Sequence, residues 1–188
     1  MDNITAISNA LGYRIILQNH FKESERYPNK LLSMTLLPVM VISLLEIEMI
    51  FKAKLDTEGI QYSKKGPNGH NIAMLFKLLP QKSQDVIHDN YSKCIQNIQR
   101  DKGCELLLFD DLLKQFDDSL FTKYRYLDDS SVRLIPISLL DSISYFRYTL
   151  EKLFKLPPVE MIGNFDYKPD EEKLERDVEH LKCMWKNV

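Results

Sequence analysis

Cysteine, glycine, tryptophan and an excess of either charge are all scarce in this 188-residue chain, and each shortage excludes something. The three cysteines are Cys94, Cys104 and Cys183, an odd number with no CxxC pair and no histidine at metal-ligand spacing. A disulfide framework and a zinc site are therefore not expected, and the pattern fits a reducing, cytoplasmic interior. Six glycines and eight prolines exclude collagen-like and low-complexity chains. Lys+Arg 25 against Asp+Glu 27 gives a net charge of −2, so any nucleic-acid binding must come from a local patch.

Long apolar runs are scarce as well. The one uncharged stretch, Leu31 to Leu45, would make ~22 Å of helix against a hydrocarbon core of ~30 Å. Pro38 interrupts it and Glu46 and Glu48 follow, which marks a buried core helix and no membrane association. An acid, Asp2, stands where a signal peptide would be basic, so no leader is expected. No run alternates as a strand does, and no P-loop, GxGxxG, HExxH or GxSxG sequence occurs.

What is present is helical period. Ile4, Ile7, Leu11 and Ile15 recur at threes and fours over residues 3 to 23, before a break at Tyr27-Pro28-Asn29. A second helix is predicted from Leu31 to Glu58, kinked near Pro38 and capped by Gly59. A loop over 61–69 leads to a short helix over 70–79. Pro80 fits the first turn of the next helix, which carries Val86, Ile87, Tyr91, Cys94, Ile95 and Ile98. Further helices are expected over 105–121, 138–154 and 169–185, the last with a Leu174, Val178, Leu181 and Trp185 stripe. The expected architecture is all-α: an up-and-down helical bundle over 1–156, then a linker and an amphipathic C-terminal helix over 157–188.

Few residues offer chemistry. Glu48 and Lys52 stand four apart with the acid first, the favourable order for a helical ion pair, yet their surroundings are apolar almost all round. Charges in such a run either reach to the surface or serve a purpose inside. His70 follows Gly69, where the loop can aim it inward, while His88 and His180 fall on polar faces. Tyr124, Arg125 and Tyr126 put a guanidinium between two aromatic rings, suited to gripping a phosphate or stacking on a base.

These pieces come in a suggestive order. The run Leu45-Glu46-Ile47-Glu48-Met49-Ile50-Phe51-Lys52-Ala53-Lys54-Leu55 and the following Gly59 resemble a "Glu-x-x-x-Lys-Ala-x-Leu … Gly" helix of small bacterial HEPN-domain proteins. The segment Gly69-His70-Asn71 through Leu79-Pro80 is similar to their "Gly-His-Asp/Asn … Leu-Pro" segment, and Tyr124-Arg125-Tyr126 resembles their "Arg-Tyr-x-Tyr/Glu". The resemblance covers about residues 30–150.

It implies a helical bundle, often a homodimer, serving antiviral defence, stress or toxin–antitoxin systems. It also implies an RNA or nucleotide ligand, or a protein partner encoded nearby. Many such proteins are metal-independent endoribonucleases, in which a histidine activates the ribose 2′-OH and an arginine holds the scissile phosphate. No cofactor or metal is implied. Carried over by position, His70 and Arg125 are the catalytic candidates, and Glu48, Lys52, Tyr124 and Tyr126 the binding candidates.

The family's Arg-x(4–6)-His motif is missing after Arg125, Arg133 and Arg147; only Arg14 and His20 keep that spacing, and they form the alternative pair. Three functions stay open at this point. They are a HEPN-like binding protein, an active dimeric endoribonuclease, and a non-enzymatic interaction protein docking through its C-terminal helix.

Overall fold

The computed structural model describes residues 3–26, 32–62, 69–102, 105–116, 136–155 and Arg176. The fold is all-α. Its helices are α1 (Asn3–Arg26), α2 (Leu32–Thr57), α3 (Ile72–Leu78), α4 (Gln81–Lys102), α5 (Phe109–Gln115) and α6 (Ile137–Leu153), and no strand occurs among the described residues. No helix there is long and apolar enough to cross a membrane. The predicted helix over 169–185 lies outside the described residues, apart from Arg176.

The organising element is α2. Met40, Leu44, Ile47, Ile50, Phe51, Ala53 and Leu55 point in several directions and are all fully buried. A helix apolar on most sides must be covered on most sides. Helices α1, α3 and α6 do this, and α4 and α5 close the far side of α6. The α1 surface facing α2 is built from Ala6, Ile7 and Ala10, small residues that permit close approach.

The other faces follow the same logic. Helix α4 buries Ile87, Tyr91 and Ile95, one turn apart, and leaves its remaining faces wet. Helix α6 buries Leu139, Ile143, Phe146 and Leu150. Phe146 stands at the centre of a ring cluster, with the Phe51, Tyr91, Phe109 and Phe116 centroids 5.4–6.2 Å away.

Helix ends explain the path of the chain near the site. Gly59 adopts a left-handed φ of 68°, its N–H donates to Asp56 O, and the Ile60 N–H donates to Leu55 O. That is a Schellman ending, which favours glycine because a Cβ is strained there. At α3 the Asn71 side chain accepts from the Met74 N–H at 2.8 Å. Leu79 ends α3 immediately before Pro80, and the Pro80 carbonyl accepts from Ser83 and Gln84 to start α4. Proline thus stands just ahead of α4 instead of within its first turn.

One helix is shorter than expected. Residues 105–108 are not helical, although the apolar spacing favours a helix from Glu105. Tertiary hydrogen bonds hold this segment instead: Tyr91 Oη donates to Leu107 O at 3.0 Å, and Leu107 N donates to Ser142 Oγ at 2.9 Å. Helix α5 begins only at Phe109, and residues 117–121 lie outside the described residues.

Candidate functional site

Ile47 points into the core, and its neighbours Glu46 and Glu48 leave α2 on different sides of it. Both carboxylates are fully buried, and each meets a different set of cations. Carboxylates are almost never fully buried unless paired, so each marks a constructed polar site.

Glu48 organises the first site. Its Oε1 accepts from Lys52 Nζ at 2.5 Å and lies 3.0 Å from His70 Nδ1. The i,i+4 spacing on α2 brings Glu48 and Lys52 together. The Asn71 cap, which turns the chain into α3, brings His70 across from 22 residues away. A carboxylate paired with an ammonium only accepts hydrogen bonds, so the imidazole donates to it through Nδ1. Glu48 Oε2 is buried without a partner.

Lys52 is held from a second direction by Tyr62, whose ring centroid is 6.0 Å from Nζ. Tyr62 is fastened in turn, its hydroxyl donating to Asp56 Oδ2 at 3.2 Å. Burial, then the Asp56 carboxylate, pushes the Tyr62 hydroxyl above its ordinary pKa, so the ring keeps its proton. The arrangement is a buried carboxylate–ammonium pair anchoring an imidazole whose side chain is 47% exposed. Only His70 of the three can touch a ligand. Glu48 and Lys52, expected as binding residues, are buried, and their link to the surface runs through the imidazole they hold.

A depression of about 450 Å3 lies between α3 and α5; its lining includes Asn71, the residue after His70, with Met74, Lys77, Asp110, Leu113 and Lys114, but not His70 itself. Its lining combines apolar side chains with two cations, Lys77 and Lys114, and one carboxylate, Asp110. Lys114 also pairs with Asp111 at 2.8 Å.

Glu46 belongs to the second site. Its Oε2 lies 3.5 Å from Arg147 Nη1 of α6, Arg147 also pairs with Glu151 one turn on, and Arg14 Nε of α1 lies 3.2 Å from Glu151 Oε2. Burial, opposed by Arg147 and reinforced by the nearby Glu151 carboxylate, raises the Glu46 pKa to about 8.

The sequence reading did not find this second cluster. Its one local signal is the i,i+4 order of Arg147 and Glu151, while Glu46 and Arg147 are 101 residues apart. Tyr62 escaped notice for a similar reason, since it follows a helix end with no apolar period.

The remaining candidates do not join these sites. Tyr124, Arg125 and Tyr126 lie outside the described residues, as does His180. Arg14 serves the Glu151 cluster, and His20 is six residues on along the same α1 helix. That spacing puts it ~9 Å farther along the axis and ~240° round it, so the two do not share a face. His88 is exposed, as its polar face predicts, with its ring edge-on to Phe109 at 5.1 Å. Among the described residues no group of His, Cys, Asp and Glu could hold a metal ion. No family model, no curated protein and no solved structure matches this chain.

Proposed function

We propose that this chain is a HEPN-like all-α protein of a bacterial defence, stress or toxin–antitoxin system, cytoplasmic and dimeric, that binds single-stranded RNA or a nucleotide at His70. One observation carries the reading. His70 and Lys52 of the Glu48–Lys52 pair, the pair and the histidine singled out separately in the sequence, meet at Glu48 Oε1 with the imidazole facing solvent. The depression that starts at Asn71, the residue after His70, offers apolar surface for a base, and its Lys77 and Lys114 outnumber the one carboxylate, Asp110, for phosphate.

The Nδ1 contact to Glu48, which orients the imidazole, favours a second reading, the metal-independent endoribonuclease. Nε2 of His70 would take the proton of a ribose 2′-OH, whose oxygen attacks the adjacent phosphorus and expels the 5′ oxygen of the next nucleotide, which takes its proton from water. The products are a 2′,3′-cyclic phosphate and a 5′-OH end. A cation on the phosphate completes the chemistry, the role the resemblance gives to Arg125.

Both readings meet one experiment on the full-length protein: anisotropy with a fluorescein-labelled single-stranded RNA, and cleavage of the same RNA in EDTA. Binding is expected to weaken at least tenfold in His70→Ala. Any cleavage should fall by about 100-fold or more, the usual worth of a positioned general base. Wild-type protein that binds no RNA, or His70→Ala that binds as tightly as wild type, overturns the binding reading. Wild-type protein that binds but does not cleave removes only the nuclease.

A further inference from the structure

The buried cluster around Glu46 ties three helices together through side chains that have no part in the His70 site. Arg14 reaches in from α1, Glu46 from α2, and Arg147 and Glu151 from α6. Glu46 is fully buried, and its Oε1 and the Arg147 Nε are buried with no hydrogen-bond partner. Both guanidiniums contact Glu151, whereas the Arg147 contact to Glu46 is the longer one at 3.5 Å and the Glu151 carboxyl group lies within hydrogen-bonding reach of Glu46.

Of the elements packed on α2, α1 contributes Arg14 and α6 contributes Arg147 and Glu151. The α3 side turns its His70 and the neighbouring Lys52 towards Glu48 instead. Two carboxylates side by side with one poorly served cannot both keep their charge cheaply out of water.

We propose that α1 is held on the body of the fold by a proton-dependent lock, in which Glu46 is a neutral carboxylic acid while Arg14 and Arg147 both serve Glu151. When α1 lifts, the Arg14–Glu151 contact breaks, water reaches the cluster, and Glu46 ionises. The docked form therefore holds one proton that the open form gives up.

The direction with pH follows from linkage. Glu46 in the docked form has its pKa raised to about 8, against 4.5 for a solvated glutamate. Between those values docking takes up a proton, so docking is strongest near the acid end and weakens as pH rises towards 8. Within the window each pH unit raises the opening constant about tenfold for a single proton. Beyond about pH 8 the dependence flattens. A cell compartment that turns alkaline would loosen α1 first, because the lock joins α1 to α6 through Arg14 and Glu151.

Hydrogen exchange on the full-length protein tests this, read on peptides of α1 at pH 6, 7 and 8 after correction for intrinsic exchange, with α6 peptides as the internal reference. Wild-type α1 should lose protection about tenfold per pH unit relative to α6. Glu46→Gln, a neutral isostere of the protonated acid, should keep α1 protected with no pH dependence. Equal pH dependence in the two proteins, or none in wild type, overturns the proposal. Infrared difference spectra keep it testable if Glu46→Gln folds poorly. Wild-type protein must show the carbonyl stretch of a buried protonated carboxylic acid at pH 7 that disappears above pH 9, and absence of that band overturns it as well.

Discussion

Glu48 and Lys52 show how a charge is kept inside a core. Each has lost its hydration, and each is compensated by the other at 2.5 Å, with His70 and the Tyr62 ring completing the shell. Removing one partner is worse than removing both. Glu48→Ala leaves the buried Lys52 ammonium without its counter-ion, and stability measured by urea unfolding should drop by about 3–5 kcal/mol. The double variant Glu48→Leu/Lys52→Met keeps the volume without the charges. It should recover most of that loss, since apolar replacement of a whole buried pair is often close to neutral. A double variant as unstable as Glu48→Ala would show that packing, and not the unpaired charge, sets the cost. Lys54, also fully buried, follows the same rule through Glu58 one turn on, at 2.7 Å.

At the scale of the element, endings matter more than propensity. The left-handed Gly59 turns the chain from α2 towards Tyr62, and Tyr62 is what holds the far side of Lys52. A Cβ at Gly59 would meet nothing within 4 Å, so Gly59→Ala isolates the backbone cost from any clash. It should lower stability by about 1 kcal/mol, read from the shift in urea midpoint at unchanged slope. This ending was legible in advance, because glycine after a long apolar helix is a strong stop signal. The bounds of α1, α2, α4 and α6 were legible as well: α1, α4 and α6 carry a helical period between breakers, and α2 is a long apolar run between Pro28 and Gly59. Helix α5 was not. The period of residues 105–121 is helical, but Tyr91 and Ser142 hydrogen-bond the Leu107 backbone and hold residues 105–108 out of the helix. No local pattern encodes a bond from 16 or 35 residues away.

For the whole molecule, the aromatic cluster around Phe146 is where α2, α4, α5 and α6 meet. Phe51 packs against it from α2, Tyr91 from α4, Phe109 from α5, and Phe116 from the end of α5. Phe146→Ala should therefore cost about 3–5 kcal/mol and lower the thermal midpoint, with the loss shared by all four helices rather than confined to α6. The His70 site and the Glu46 lock lie on different sides of α2, so the two should respond independently. Variants at one should leave the readout of the other unchanged, as expected for sites that share no partner.

Helix content, the central place of the helix after Pro28 and the pairing of Glu48 with Lys52 were all determined by sequence alone. Each depends on residues within a turn or two of one another, where periodicity and i,i+4 geometry suffice. The approach of His70 to that pair, the seating of Tyr62 on Lys52 and the meeting of Arg14, Glu46, Arg147 and Glu151 were decided by the tertiary structure. Those contacts join distant segments, and only the packing of helices against α2 determines which buried charges find one another.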